Sequence, residues 1–489
     1  MTATQAPRST SAWGRLREFA AVIRLRPFDV STAQGRSRER FRRAALSTVG
    51  NAVARGTTVI TAIITVPLTI NYLGPERYGM WMTISAAFAF AVVADLGIAN
   101  GLLNMITSAH AADDRRGARR QVSNAWFVLL ISATVLSLAL AGLYPIVNWS
   151  ALFNVRSDLA VAEAGLGVAA FGVTWIVTLL NAAAGRVNDG YQEGYVNSFW
   201  QALGSLLSLG AVVLGVYLEV GLPLLILGFT GGPAITGLCN TAAVFFFRRP
   251  WLRPRRDDID SAVIKGLLSS GVWFVTLAVG YHIVVNVSNL VIAHFISADA
   301  VAEFAIPMRA FAVLNMTIML ALSPLWPAYG ESLARGDVAW AAKTLRRSLQ
   351  LSALLMSGPS IALVVFGQAL IRWWVGDVIH PSIAMLAGLA CWYFLMGVGN
   401  ALHTFLLGGN AVRFQGRIRM VQALVVVPLQ MVCIRHWGLA GVAWALAAAE
   451  LFCRFIPAAI MAPRVLRAHG KKPTLPAVAL HQGDERDTH

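Results

Sequence analysis

Charged side chains are scarce in this sequence, at 13% of 489 residues against a hydrophobic content of 57%. Soluble globular proteins carry about 25% Asp, Glu, Lys and Arg, so this shortage excludes a secreted or cytosolic globular protein. Apolar runs of bilayer-spanning length, about 20 residues, follow one another from about residue 44 to residue 463. The sequence therefore predicts an all-α polytopic membrane protein.

Cysteine and lysine are also rare. The four cysteines lie inside apolar segments without a CxxC pair or a His at metal-ligand spacing, so they behave as small hydrophobic residues. Of the 40 basic residues, 36 are Arg, and the formal net charge is +16. Such a charge can bind nucleic acid, but the Arg residues form short runs between apolar segments, as in cytoplasmic loops. We therefore expect no metal site and no nucleic-acid partner.

Windows of about 20 apolar residues predict twelve transmembrane helices. The first six lie near 44–72, 79–106, 122–147, 159–184, 196–218 and 220–247. The last six lie near 264–294, 300–327, 346–374, 382–408, 415–436 and 438–463. The predicted domains are a basic N-terminal arm (1–43), an N-terminal six-helix bundle (44–247), a basic cytoplasmic linker (248–263), a C-terminal six-helix bundle (264–463) and a polar cytoplasmic tail (464–489).

The basic residues are divided unequally between the two sides of the predicted membrane domain. The termini and even-numbered loops hold 33 of them, including the group from Arg413 to Arg419, whereas the opposite side holds four. Because cytoplasmic loops are enriched in Lys and Arg, both termini are predicted to be cytoplasmic. Residues 12–28 of the arm place apolar side chains at helical spacing between four Arg. That pattern fits a helix on an anionic inner leaflet or a partly disordered basic tail.

A weak internal repeat links the two predicted bundles. When the second half is shifted by 223 residues, Tyr72 falls on Phe295, Asp114 on Asp337 and Arg120 on Lys343. Six spans is an even number, so the two halves share one orientation and are predicted to be related by a pseudo-two-fold axis along the membrane normal. This architecture suits alternating access.

Two segments of the sequence resemble a known family. Residues 66–81, VPLTINYLGPERYGMW, are followed by Asp95-Leu96-Gly97 and Asn100-Gly101, and residues 323–331, SPLWPAYGE, are followed by ARGD at 334–337. Both segments resemble the polysaccharide-transporter branch of the multidrug/oligosaccharidyl-lipid/polysaccharide exporter superfamily. The resemblance covers roughly residues 44–463.

The resemblance implies a transporter without a soluble domain or cofactor. Members of this branch flip undecaprenyl-diphosphate-linked oligosaccharides, the precursors of O-antigen, capsule or exopolysaccharide, from the inner to the outer leaflet of the bacterial plasma membrane. The implied partners are this lipid-linked oligosaccharide, membrane lipids and a polysaccharide polymerase or export machinery. A diphosphate needs a hydrated path through the bilayer, and an Arg in the wall of that path can bind it with two hydrogen bonds.

Charged residues inside predicted spans mark a pathway or a structural pair. Arg55 and Asp95 both lie roughly 16 Å from the cytoplasmic ends of their spans, at 1.5 Å per residue. They are expected either to pair with each other or to face the hydrated cavity between the helices. In that cavity Asp95 could also couple transport to protons. A nearby Arg would oppose that proton role.

Arg309 is the best single candidate for contact with a diphosphate or an acidic sugar. The nearest acidic residue on its own span is Glu303, six positions earlier, so Arg309 is expected to face water or an anion. The alternatives are that it extends towards the membrane surface or pairs with Asp95 or Glu450.

Two further groups of polar residues are candidates for the cavity wall. Glu450 and Arg454 are four residues apart, a spacing that favours an ion pair on one helical face. His282, Asn286 and Asn289 could line the cavity or join helices by hydrogen bonds.

Two other functions compete with oligosaccharide flipping. A multidrug/cation antiporter should line its cavity with carboxylates, but the predicted spans carry Arg55, Arg309 and Arg454 against Asp95 and Glu450, a balance that favours an anionic head group. A peptidoglycan-precursor flippase of the same superfamily would share that head group. An enzyme is not expected, because the sequence lacks a sizeable outer loop, a nucleophile/base constellation and metal-ligand spacing.

Overall fold

The computed structural model describes residues 33–89, 94–95, 97–322 and 325–470, and every regular element among them is helical. The interfacial helix predicted at 12–28 and the tail from residue 471 onwards lie outside the described residues. Within the described part, nine helices are long and apolar enough to cross a membrane. Two of these, Ala45–Ala89 and Val412–His469, are 45 and 58 residues long, which is more than one bilayer crossing needs.

Each of the two long helices contains one glycine with non-helical backbone angles. Gly74 has φ 75° and Gly438 has φ 54°, a left-handed region that glycine adopts without steric cost. Gly74 lies between the first and second predicted spans, and Gly438 is the first residue of the twelfth. The helix Ala298–Leu322 occupies the position of the eighth predicted span. The predicted all-α polytopic fold with twelve spans is confirmed.

The chain forms two compact units, and unit 1 contains the residues up to Val275 together with Ser297–Asp299. Its helices are α1 (Ala33–Ala89), α2 (Ile98–Ala111), α3 (Arg115–Leu143), α4 (Trp149–Phe153), α5 (Asp158–Gly190), α6 (Gly194–Tyr217), α7 (Leu222–Ala242) and the first part of α8 (Ser261–Phe295). A core cluster that includes Leu102, Val122 and Val187 joins α2, α3 and α5. Side-chain caps begin α3 and α5, because Asp114 and Ser157 each accept a hydrogen bond from a backbone N–H of the first turn.

The second predicted span is interrupted rather than continuous. Helix α1 ends at Ala89 and α2 begins at Ile98, preceded by Gly97 with φ 73°. Asp95 is half-buried in a short turn within this break. The expectation that Asp95 lies inside one continuous helix is therefore wrong, because a left-handed glycine starts a new helix two residues after it.

The predicted linker packs on helix α3 of unit 1. It contains short 3-10 turns at Pro250–Leu252 and Arg256–Asp258. Arg119 Nε donates to Asp258 Oδ2 at 2.7 Å, and Asn124 Nδ2 donates to the Asp258 carbonyl oxygen at 2.8 Å. These bonds hold the linker against the helix whose first turn contains Arg115.

Unit 2 contains Thr276–Ile296 and the residues from Ala300 onwards. Its helices are the rest of α8, α9 (Ala298–Leu322), α10 (Leu325–Ala334), α11 (Val338–Val375), α12 (Ile383–Gly408), α13 (Val412–Ala449) and α14 (Ile456–Gly470). Helix α12 is the most enclosed of the candidate spans in the described part, with 67% of its apolar window buried. Its Leu402 and Phe405 pack with Tyr329 and Ala458 in a second core cluster. Helix α14 continues to Gly470, past the predicted start of the tail at residue 464.

Candidate functional site

Glu450 and Arg454 are buried in the last span of unit 2. They belong to a π-helical turn, Glu450–Phe455, between α13 and α14, and are 0% and 4% exposed. Arg454 Nη1 donates a hydrogen bond to Glu450 Oε1. The predicted intrahelical ion pair is confirmed, whereas a contact of either residue with substrate stays a prediction. Single π-helical turns inside α-helices occur frequently at functional sites.

The other oxygen of the Glu450 carboxylate is held from helix α13. Gln422 Nε2 donates to Glu450 Oε2 at 2.7 Å, and Arg419 Nη1 donates to Gln422 Oε1 at 2.9 Å. Arg419 Nη1 also lies 3.9 Å from Glu450 Oε2. One carboxylate is therefore shared by two guanidinium groups, so this group of side chains carries a net positive charge.

Two asparagines extend the network to further helices. Arg454 Nη2 donates to Asn400 Oδ1 on α12 at 2.9 Å, and Asn400 Nδ2 donates to Asn315 Oδ1 on α9 at 2.9 Å. We call Asn315, Asn400, Arg419, Gln422, Glu450 and Arg454 the unit 2 polar cluster. Buried polar groups are costly unless they are hydrogen-bonded, and this network supplies those bonds from three helices and one π-helical turn.

Arg419 is the least compensated charge of the cluster. Its side chain is only 9% exposed, yet among the described residues its guanidinium makes one hydrogen bond, to Gln422. The Tyr281 ring lies 5.8 Å from Arg419 Cζ, within cation–π range. A guanidinium has five N–H donors in a planar fork that matches carboxylate and phosphate oxygens. The remaining donors of Arg419 therefore match the oxygen atoms of an anion in geometry and charge.

A glycine brings helix α8 close to Arg419. A Cβ atom at Gly280 would lie 2.6 Å from Arg419 Cγ and 3.3 Å from its backbone. A Cβ atom does not come as close as 2.6 Å to another carbon atom in real structures. Only glycine therefore allows α8 and α13 to pack this closely. The position of the Arg419 side chain depends on this approach.

Sequence reasoning missed Arg419, which was counted with the basic residues of a loop. Helix α13 begins at Val412 instead, so Arg419 lies two turns inside the helix. The sequence contained a signal for this, because the spacing of Gln415, Arg419 and Gln422 places all three on one helical face. In the structure all three side chains are buried. Asn315 and Asn400 were also missed, since nothing local in the sequence links α9 and α12 to Glu450.

The other predicted site residues lie in different elements. Arg55 is half-buried on α1 of unit 1, and Arg309 is half-buried on α9 of unit 2, the helix that also carries Asn315. The pairing of Arg55 with Asp95 and the cavity-facing position of Arg309 stay predictions.

The polar residues of α8 are divided between two roles. Asn286 Nδ2 lies 3.3 Å from His282 Nδ1 and donates to the His282 carbonyl oxygen at 3.2 Å, so this pair interacts within one helix. The hydrogen bond that joins helices comes from Ser288, which accepts from Gln430 Nε2 on α13 at 2.9 Å. Asn289 Oδ1 is buried and has no hydrogen-bond partner among the described residues.

Comparison with solved structures shows the fold of a membrane transporter superfamily. A multidrug resistance MATE family transporter of the MOP superfamily, solved in an inward-facing conformation, matches with a TM-score of 0.74 and 14% identity over 85% of this chain and 96% of that chain. An outward-facing structure described in the same words matches with a TM-score of 0.64 and 14% identity over 89% and 97%. A MOP superfamily transporter from Pyrococcus furiosus, described as having a binding pocket of reverse polarity that suggests a different function, matches with a TM-score of 0.63 and 12% identity over 88% and 97%.

Sequence comparison is more specific about the family. No curated protein matched the chain. The family model described as polysaccharide biosynthesis protein matches residues 47–333, which is more than half of the sequence. The match contains the segments that begin at Val66 and Ser323, on which the resemblance was based. This membrane protein therefore belongs to the polysaccharide biosynthesis protein family.

Proposed function

We propose that the protein flips an undecaprenyl-diphosphate-linked oligosaccharide from the inner to the outer leaflet of the bacterial plasma membrane. In this proposal the lipid-linked oligosaccharide is the substrate and the reaction serves the synthesis of O-antigen, capsule or exopolysaccharide. The observation that carries the proposal is the Arg419 guanidinium, which is buried beside a second Arg and makes one hydrogen bond in the described part of the chain.

The charge balance of the unit 2 polar cluster suits an anionic head group. Glu450 faces both Arg419 and Arg454, so its negative charge is already matched and one positive charge remains. An isolated buried charge is unfavourable, and a diphosphate entering the site would supply the missing negative charge together with hydrogen-bond acceptors for the free donors. The same residues would bind the diphosphate less strongly after the loss of either guanidinium.

A multidrug/cation antiporter is the rival function, because solved transporters of this fold include multidrug transporters. A cation site needs a carboxylate whose charge is available to the ligand. Glu450, the fully buried carboxylate of the cluster, accepts hydrogen bonds from Gln422 and Arg454 instead. This arrangement favours an anion over a cation at the unit 2 polar cluster.

Flipping can be measured with the full-length protein in liposomes that contain fluorescent undecaprenyl-diphosphate oligosaccharide. The readout is the rate at which inner-leaflet probe becomes accessible to an impermeant reagent outside. We expect protein-dependent flipping, and we expect Arg419→Gln to slow it at least tenfold, since one charge-assisted hydrogen bond contributes about 1.5–3 kcal/mol. Flipping no faster than in empty liposomes, together with efflux of an organic cation under a proton gradient, would assign the protein to the antiporters.

Arg417→Gln is the matched control for this substitution. Arg417 lies on the same helix, two residues before Arg419, and is exposed. The Arg417→Gln variant loses the same positive charge without changing the unit 2 polar cluster. Its flipping rate is therefore expected to stay within about twofold of the wild type. Equal losses in both variants would show that the effect comes from overall charge. A peptidoglycan lipid precursor, offered as a second probe, tests whether the sugar portion distinguishes the two flippase functions.

The Arg309 prediction is tested in the same liposomes. Arg309→Gln is expected to slow flipping if its side chain contacts the head group, and to leave the rate unchanged if it does not.

The remaining proposals concern location and partners. The protein is proposed to reside in the bacterial plasma membrane with both termini in the cytoplasm, and to work with the polymerase or export machinery of the same polysaccharide.

A further inference from the structure

Unit 1 contains a polar cavity that is separate from the unit 2 polar cluster. Its volume is about 530 Å³, within the usual range of small-molecule sites, about 300–1,000 Å³. Helices α1, α5, α6 and α7 enclose it, and the residues that matter for its chemistry are Thr61, Asn197, Trp200, Gln201, Ser205 and Asn240. The polar side chains among its lining residues are amides, hydroxyls and an indole, and none of the lining residues is charged.

The inner wall of the cavity is held in place by a network of amides. Asn188 Nδ2 donates to Asn197 Oδ1 and to Asn240 Oδ1, both at 3.0 Å. Asn197 Nδ2 donates in turn to the Gly185 carbonyl oxygen and to Asp189 Oδ1, both at 2.8 Å. The Asp189 carboxylate is itself paired with Arg186 at 3.6 Å and does not line the cavity. Asn188 is fully buried, and its Oδ1 has no partner among the described residues. Side chains oriented in this way form a pre-organised polar surface.

The outer rim of the cavity offers unused polar groups beside an aromatic ring. Trp200 is half-buried and Gln201 is exposed, and neither side chain makes a hydrogen bond to the part of the chain that the structure describes. Thr58 on α1, which also lines the cavity, shares a hydrogen bond with Ser205 at 3.1 Å. The rim therefore presents an indole N–H, an amide that can both donate and accept, and an apolar ring face.

Polar residues in membrane bundles often serve only to join helices. That role explains the Thr58–Ser205 bond and the Asn188 network. It does not explain a cavity of this volume, nor Trp200 and Gln201, whose side chains make no hydrogen bond to another helix in the described part of the chain. A ligand for these groups must have both donors and acceptors and an apolar face, and must lack charge, since no side chain of opposite sign lines the cavity.

We propose that this cavity binds the uncharged, hydroxyl-rich sugar portion of the transported lipid. Sugar hydroxyls donate and accept hydrogen bonds as amides do, and the C–H faces of sugar rings can pack on an aromatic ring. The inference rests on the proposed flipping function and adds a second subsite to it.

The test uses full-length protein in liposomes and two fluorescent probes that share undecaprenyl diphosphate, one with an oligosaccharide and one without sugar. Trp200→Leu and Gln201→Met are expected to slow transport of the sugar-bearing probe about tenfold, the effect of losing one good hydrogen bond or packed ring. Transport of the sugar-free probe should stay within about twofold. Trp373→Leu is the matched control, because Trp373 lies on α11 of unit 2, is 82% exposed and does not line the cavity. Phe199 is unsuitable, since its ring packs against Trp200 with centroids 5.4 Å apart.

A binding measurement separates this inference from the flipping proposal. Saturation-transfer NMR with detergent-solubilised protein and a panel of soluble neutral di- and trisaccharides should show binding that Trp200→Leu and Gln201→Met weaken about tenfold. Binding without any flipping in the liposomes would support the cavity and reject the flipping proposal. The cavity proposal is overturned if no sugar of the panel binds, or if transport of both probes slows equally in the Trp200 and Gln201 variants while Trp373→Leu has no effect.

Discussion

At the scale of single residues, the unit 2 polar cluster is asymmetric in charge. Glu450 is paired with both Arg454 and Arg419. Removing the carboxylate leaves two buried cations without a counter-charge, whereas removing Arg454 leaves Glu450 opposite Arg419. Breaking a buried pair is strongly destabilising because of the charge that remains uncompensated. The two halves of the same ion pair therefore differ in their importance for stability.

We expect Glu450→Gln to destabilise the protein by about 3–5 kcal/mol and Arg454→Gln to destabilise it clearly less. The measurement is the unfolding temperature of detergent-solubilised protein, with gel filtration to confirm that each variant is monodisperse. Glu450→Gln combined with Arg454→Gln serves as the control, because the double variant has the same net charge as the wild type and should be more stable than Glu450→Gln alone. Equal destabilisation by the two single variants would contradict the asymmetry.

At the scale of helices, close approach decides where the cluster residues lie. Gly280 lets α8 contact the backbone of α13 beside Arg419. Gly280→Ala is expected to destabilise unit 2 by about 1–3 kcal/mol, the usual cost of overpacking, and to slow flipping because Arg419 is displaced. Gly210→Ala on α6 is the control, since a Cβ atom there would meet nothing within 4 Å. Unchanged unfolding temperature and flipping rate in Gly280→Ala would show that the two helices can separate freely.

A second contact between helices of unit 1 is made by the carboxylate of Glu163. Arg77 donates to both carboxylate oxygens of Glu163 on α5, at 2.7 and 2.8 Å. Glu163 Oε1 also accepts from the backbone N–H of Leu222, at the start of α7, at 2.9 Å. The negative charge near a helix N-terminus is favourable. One carboxylate therefore ties together α1, α5 and α7, although from the sequence alone Glu163 looks like an ordinary residue of the membrane surface.

Glu163→Gln should lower the unfolding temperature, because an amide accepts from Leu222 but places an NH₂ donor opposite the Arg77 guanidinium. We expect a loss of about 3 kcal/mol, as for other broken buried pairs. Glu219→Gln is the comparison, since Glu219 is exposed near the same end of unit 1 and should change stability by less than about 0.5 kcal/mol. A Glu163 variant as stable as the Glu219 variant would show that the three helices do not depend on this carboxylate.

The helices and their order could be predicted from the sequence, because the bilayer requires apolar runs of a certain length. For the same reason Gly74 falls between two predicted spans and Gly438 at the start of another. The break before Gly97 and the π-helical turn at Glu450 could not be predicted, since both lie inside apolar runs and depend on packing. The same limit applies to the candidate site. The spacing of Glu450 and Arg454 predicts a pair, but only the fold brings Arg419 and Asn400 to it.

At the scale of the whole molecule, part of the positive charge is neutralised locally. At the end of unit 1 next to the linker, Glu193 accepts a hydrogen bond from Arg248 at 2.7 Å and pairs with Arg249 at 2.9 Å. Arg249 also stacks on the Tyr191 ring, 4.1 Å from its centroid, and burial raises the pKa of the Tyr191 phenol, so the ring stays neutral near pH 7. A surplus of Arg remains there after these contacts. The positive-inside rule counts Lys and Arg in the loops, and on that count we expect this end to lie in the cytoplasm.

The orientation predicts which exposed loop residues an impermeant maleimide can reach in intact cells. In a variant whose four cysteines are replaced by Ala, we expect Arg156→Cys and Asp377→Cys to react from outside. Arg116→Cys and Arg335→Cys should react only after the membrane is opened. All four positions are exposed in the structure, so burial does not explain a difference between them. Outside labelling of Arg116→Cys and Arg335→Cys would reverse the orientation, because the loops with the surplus Arg would then lie on the outer face. In that case the lipid-linked substrate would enter from the side whose loops carry few Lys and Arg residues in the sequence.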